Sequence, residues 1–224
     1  MMVQFFKRIR VFRADQKAVA AVEFAMVIPL MLLMLFGSVE VELAVSAGNK
    51  LEVVADQMSR LLGAEISQNL QESDLDAIFQ AATPMMYPYD ITANKLVVTL
   101  SSITFVPNTS GGGFNAMVDW SATNGGSLNY IRQCSYSPLI QTSDSSDPSM
   151  TTIHGGVSQG SSLVVADLVY TYPSPLNIDA FFYHSNPVIT MHRTDVFGVR
   201  NFPYLNYTAG STYTSEVCSP KNHP

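Results

Sequence analysis

Charge is scarce in this chain. Lys, Arg, Asp and Glu make up 13% of 224 residues while apolar residues reach 47%, a balance that excludes a disordered polar tail and leaves enough apolar side chains for a packed core. Cysteine is scarcer still: Cys134 and Cys218 are the two in the chain, and neither has the CxxC spacing or histidine partner of a reactive thiol. Catalytic spacings are missing as well. No HExxH or GxSxG occurs, and the glycine clusters at 111–113, 125–126 and 155–160 have no Lys-Ser/Thr after them, so they read as turns and not as a phosphate cradle. His154, His184, His192 and His223 are scattered, and a metal site would have to gather ligands from distant loops. Asp74 and Asp76 make no metal pair, because residues two apart on a helix point to different sides. An enzyme is not expected, and neither is a cofactor or a bound metal.

What the chain does have is one long apolar run. From Ala18 to Val39 only Glu23 and Ser38 interrupt 22 residues, and about 20 suffice to cross a bilayer as a helix. Ahead of it Lys7, Arg8, Arg10, Arg13 and Lys17 stand against Asp15, a net of +4, which leaves −10 of the total −6 for the remainder. Because Lys and Arg resist translocation, this flank stays in the cytoplasm and the residues after about 45 lie outside. With Phe5, Phe6, Ile9 and Phe12 interleaved, the leader is read as lying on anionic lipid; a nucleic-acid role does not fit a cluster that runs straight into a span. The apolar core exceeds the roughly 7–15 residues of a cleaved secretory signal, and Ser46-Ala47-Gly48 is a weak cut site, so the span is expected to be retained past that point.

Beyond Val39 the helical pattern continues. Leu43, Ala47, Leu51, Val54, Met58, Leu61 and Leu62 recur at spacings of three and four, with Glu40, Glu42, Lys50, Glu52, Asp56 and Arg60 on other faces, so the span extends into an amphipathic stalk. After a gap at 63–71, Ser73-Asp74-Leu75-Asp76 starts a second helix, with Asp74 and Asp76 as first-turn capping acids, and Pro84 is expected to stop it. From Ile91 the texture turns β-branched and aromatic. KLVVTLSSITFV, FNAMVDWSA, SSLVVADLVYTY and PVITMHRTDVFGV each read as a strand, with loops at 108–113, 123–127 and 141–149. The fold class is therefore α+β, a pilin-like arrangement of a membrane helix with its stalk and a small exported domain whose antiparallel sheet of about four strands has the helices on one face. The boundaries are 1–17 leader, 18–40 span, 41–83 stalk and 84–224 β-rich domain. In an oxidising compartment Cys134 and Cys218 can pair and close a long loop, or stay as two separate buried thiols.

Glu23 is the anomaly of the span, since a carboxylate in hydrocarbon costs about 2.5–3.5 kcal/mol on insertion scales and tends to mark function. Cleavage between Ala18 and Val19 by a membrane peptidase would put a new α-amine four residues before it. In a helix bundle the amine of one subunit could then pair with Glu23 of a neighbour and fix axial register. The alternative is that Glu23 is protonated or snorkels to the nearby interface of a plain anchor.

The basic leader followed by AVAAVEFAMVIPLMLLMLFG resembles the N-terminus of the TadE/TadG-like family, pilin-like proteins of the bacterial tight-adherence (Tad, Flp-type) pilus. Ala20, Val22, Glu23, Phe24, Ala25, Pro29 and Leu30 carry the likeness, which spans about residues 7–62. VVADLVYTYPSPL is similar in texture to a strand ending in Pro-Leu in such proteins. The resemblance implies processing by a prepilin peptidase at Ala18–Val19, with Glu23, Phe24 and Pro29 setting helix register, and a place as a minor pilin (pseudopilin) or assembly factor in the bacterial inner membrane. Its implied partners are membrane lipid, other pilin-like subunits, the pilus assembly machinery and the peptidase. Ala18 stands where the family favours Gly before the cut. TadG-type members are longer and often carry a von Willebrand A-like domain; the length here, and an acidic loop Ser143-Asp144-Ser145-Ser146-Asp147-Pro148 that departs from DxSxS at Pro148, favour the TadE-like type. Two alternatives from other classes remain: a permanently anchored periplasmic binding module, which needs a concave apolar pocket, and an exported hydrolase, which needs a convergent histidine, acid and nucleophile.

Overall fold

The computed structural model describes residues 16–92, 95–107, 114–134, 162–174 and 189–218. In chain order it contains α1 (Gln16–Gly63), β1 (Asn69–Leu70), α2 (Glu72–Met86), β2 (Leu96–Pro107), β3 (Phe114–Thr123), a 3-10 turn at Leu128–Tyr130, β4 (Ser162–Tyr172), β5 (Ile189–Gly198), β6 (Asn206–Tyr207) and β7 (Thr214–Val217). The class is α+β, with a long apolar N-terminal helix and an antiparallel sheet. Contacts divide the described chain into two units, one holding α1 up to Val45 and the other beginning at Ser46.

In the first unit α1 is apolar on every side from Val19 to Val39, apart from Glu23 and Ser38. Val22, Met26, Leu30 and Met34, each about one turn from the next, are exposed, and so are Phe24, Met31 and Leu35 on other faces. Leu, Met and Ala are strong helix formers, which carries the helix through Pro29 even though that residue has no N–H for the Ala25 carbonyl.

The second unit opens with residues 46–63 of the same helix, which bury one stripe. Ala47, Leu51, Val54, Ala55, Met58 and Leu62 are buried while Glu52, Val53, Gln57 and Arg60 face out. The stripe follows β5. A Cβ on Gly48 would meet Met191 Sδ and the Arg193 guanidinium at 3.7 Å, and one on Gly63 would strike the Phe197 ring at 2.5 Å, so glycine at 63 is what lets helix and strand close up. The guanidiniums of Arg60 and Arg200 lie 5.1 and 4.8 Å from the centre of that ring. Chain from far downstream completes the end of the helix: the Arg200 N–H donates to the Gly63 carbonyl at 3.1 Å and Asn201 Nδ2 to the Glu65 carbonyl at 2.8 Å, satisfying carbonyls that a helix terminus leaves open.

The sheet has the order β5-β4-β2-β3-β7, all neighbours antiparallel. Its central strand β2 is buried continuously from Leu96 to Phe105, which demands cover on both faces. Register puts Val98, Leu100, Ala166, Leu168, Ala122 and Trp120 on one face. The β5 residues of that face include Met191, Arg193 and Phe197, and those are the ones that meet α1. The opposite face carries Thr99, Ser101, Ser121, Thr123, Asp167 and Thr194. Between Ser102 and Ile103 the register shifts by a bulge, with Asp119 the extra residue on β3. Beside this sheet β1 and β6 form a short parallel pair, Asn69 with Asn206 and Leu70 with Tyr207. Trp120 Nε1 donates to the Leu205 carbonyl at 2.9 Å, and its ring lies 5.1 Å from that of Tyr207.

The four expected strands are β2 to β5, with ends displaced by no more than two residues. Two expectations need correction. The sheet has five strands, because Thr214–Val217 adds to the free edge of β3; four residues of mixed character give no periodic signal. Pro84 does not stop the second helix, which runs through it to Met86. A proline late in a helix removes one N–H and crowds one carbonyl, and here Met86 is fully buried, which favours completing the turn.

Candidate functional site

The expected site residues fall in two places. Ala18 and Val19 lie in the first turn of α1, and Glu23 and Phe24 follow one turn later, both exposed. Val19 and Glu23, four apart, share a side of the helix, and Val27 and Leu30 continue that side as exposed apolar residues. Pro29 is nearly three turns from Val19. A helix apolar all round belongs in a membrane or inside a larger assembly. The candidate span begins at Val19, and none of its most apolar window is buried within the protein. The leader, with Lys7 to Arg13, the acidic loop at 143–148, and His154, His184 and His223 lie outside the described residues. His192 is exposed on β5.

The second place is the polar face of the sheet. Residues 124–134 leave β3 and cross back over it as a strap. Thr99 Oγ1 of β2 donates to the Tyr130 carbonyl at 2.9 Å, and the Arg132 N–H donates to Ser121 Oγ of β3 at 3.0 Å. The Arg132 guanidinium then makes a fork to β4, Nε to Asp167 Oδ2 at 2.6 Å and Nη2 to Oδ1 at 2.7 Å. Thr194 Oγ1 of β5 donates to the same carboxylate at 2.6 Å. Arg132 is 3% exposed, and a paired, bidentate geometry is what makes such burial tolerable. Two residues on, Cys134 is bonded to Cys218, which directly follows β7.

Several other charges in this unit are also paired. A groove of about 650 Å³ runs between residues 49–56 of α1 and 193–195 of β5. Along it Arg60 Nε meets Asp56 at 2.7 Å, Arg193 comes within 3.9 Å of Glu52, and Ser59 donates to Asp195. Its lining mixes polar and apolar surface, with Asn49, Glu52, Asp56 and Arg193 beside Val53 and Ala55. At the start of α2 the Asp74 carboxylate accepts the Gln71 N–H at 2.8 Å, a capping bond, while Asp76 accepts from Gln80 at 2.7 Å and from the Tyr213 hydroxyl. Glu72 accepts the amides of Ser211, Thr212 and Tyr213 at 3.2, 2.7 and 3.1 Å. Desolvation pushes the Glu72 carboxyl up, but those three amides outweigh it and hold it below its ordinary value. The Tyr213 hydroxyl and Gln80 hold Asp76 down likewise, and burial with the Asp76 bond pushes Tyr213 up to about 12. Among the described residues no three His, Cys, Asp or Glu side chains gather as a metal site.

The sequence does not announce the strap, its arginine or Asp167. Arg132 and Asp167 stand 35 residues apart, and no local pattern joins them; the one hint is a charged residue, Asp167, amid the alternating apolar run of β4.

Against known proteins, residues 18–60 match the family model described as TadE-like protein. No curated protein and no solved structure matches the chain.

Proposed function

We propose that this chain, whose residues 18–60 are TadE-like, is a component of a Tad-type bacterial pilus system, acting as a minor pilin-like subunit or assembly factor. The carrying observation is the stretch of α1 from Val19 to Val39: an apolar helix exposed on nearly all sides, with one carboxylate, Glu23, one turn beyond Val19. Such a surface needs either lipid or other helices around it. The chain sits in the inner membrane by a single span, with the leader cytoplasmic and the residues from Ser46 in the periplasm, where the compartment permits the Cys134–Cys218 bond. A prepilin peptidase cuts between Ala18 and Val19, the leader charge is lost, and the new amine of one subunit pairs with Glu23 of the next. Phe24 and Pro29 shape the helix surface that packs. The role is structural and not enzymatic, and its partners are lipid, other pilin-like subunits and the assembly machinery.

N-terminal sequencing of the protein extracted from membranes tests this reading. A start at Val19 supports processing; a start at Met1 in piliated cells makes it a permanent anchor and removes it from the fibre.

A further inference from the structure

The outermost strand β7 is held to β3 by four paired residues, Thr214 to Val217 opposite Thr123 to Trp120. A ladder of that length on a sheet edge is weak on its own. Ahead of it Glu72 and Asp76 hold Ser211 to Tyr213, and two ties reach its other end. The Cys218 N–H donates to the Asp119 carbonyl at 2.8 Å, and Cys218 is bonded to Cys134 at the end of the strap. The strap reaches Cys134 only by passing Arg132, which is anchored to Ser121 of β3 through its amide and to Asp167 of β4 through its guanidinium. Asp167 is fixed in turn by Thr194 of β5. The two sulfurs differ in access: Cys134 is exposed while Cys218 is 5% exposed and packs with Ile103, Val118 and Val165.

We propose that Arg132 and Asp167 are positioning residues for the Cys134–Cys218 bond, and that ion pair, strap and disulfide together form a redox-sensitive latch that fastens β7 to the sheet. The ion pair draws the strap across the polar face and delivers Cys134 to the place where Cys218 arrives. Oxidation then closes the latch. The oxidant is a disulfide-bearing oxidoreductase of the exported compartment. One of its sulfurs is attacked by the exposed Cys134 thiolate, and Cys218 displaces it from the mixed disulfide. The chain gives up two protons and two electrons and gains one S–S bond, and the oxidant leaves as a dithiol. In a reducing compartment the latch stays open, and the end of β7 next to Cys218 loses its covalent tie while the four-residue ladder and the Glu72 and Asp76 contacts ahead of it remain.

The test uses the full chain in detergent. Hydrogen exchange is compared for oxidised and reduced protein, and rates of disulfide formation from the reduced chain are measured by thiol trapping in glutathione disulfide. On reduction, amides of 120–123 and 214–217 should exchange at least about tenfold faster while the β2–β4 ladder keeps its protection, as expected for a local opening. Unchanged exchange at β7, or equal loss in the β2–β4 ladder, overturns the latch. Asp167→Asn, which keeps the size and removes the charge, and Arg132→Lys, which loses the fork, should each slow bond formation by about tenfold or more. Closure at the original rate in both variants shows that the pair does not position the cysteines. Because burying an unpaired charge can itself impair folding, Arg132→Met with Asp167→Leu serves as the second arm: slow closure in that uncharged pair supports positioning, and recovery to the original rate overturns it.

Discussion

Glu72 carries three backbone amides on one carboxylate, and the chain has made room for it. A Cβ on Gly210 would sit 1.8 Å from Glu72 Oε2, so a side chain there would push the carboxylate away from its three amides. Because Glu72 and Asp76 both have folded values below the ordinary one, their contribution is present at neutral pH and is lost as pH falls through the carboxylate range, from about 4 downward. Thermal melting recorded between neutral pH and pH 3 should show that loss, and Glu72→Gln should flatten it; an unchanged profile in the variant would remove Glu72 as the source. Glu23 is a different kind of acid, exposed on a run of apolar residues and without a hydrogen bond or ion pair among the described residues. Replacing it by Ala should leave export and the body's disulfide intact and reduce piliation, counted by electron microscopy; normal fibre numbers would exclude it from assembly. Glu23 was legible in the sequence because it breaks an apolar run, whereas Glu72, whose partners lie about 140 residues away, was not.

At the scale of elements, α1 changes its surroundings while keeping its local pattern. Residues 46–63 bury one stripe and leave the other in water, so substitutions should divide sharply by side. Met58 is fully buried and Val53 is 60% exposed. Met58→Ala should cost about 2–5 kcal/mol and Val53→Ala less than about 0.5 kcal/mol, read as denaturant midpoints of the detergent-solubilised protein. Similar costs at the two sites would mean that the stripe is not packed as described. The helices and four longer strands were readable because their periodicities of three to four and of two extend over ten residues or more. The shorter pieces, β1, β6 and β7, are made by their partners and not by their own composition. The same holds for the strap: the serines and threonines of β2 and β3 look like solvent-facing positions in sequence, yet Thr99, Ser101 and Ser121 are buried because Arg132 and its neighbours lie across them.

For the molecule as a whole, the contrast between the two units is one of self-sufficiency. The second unit buries Trp120, Tyr170, Leu100 and Ile103 within its own chain, while the described residues of the first are nearly all exposed or half-exposed. A shortened protein starting at Val41 should therefore remain soluble without detergent, keep the Cys134–Cys218 bond and melt cooperatively. Aggregation of that protein, with its cysteines correctly paired, would mean that the body depends on the apolar segment. Composition and hydropathy give this division directly, since the low charge and long apolar run are properties of the chain itself; the path by which the body closes is not, because it depends on pairings between distant residues.

The finish of α1 by Arg200 and Asn201 bears on the order of events during synthesis. The apolar helix is synthesised long before residue 200, so the carbonyls at 63–65 wait for most of translation without their final donors. On the single-span topology proposed above, chains stalled short of that point would carry an inserted helix and an unfinished body open to proteolysis.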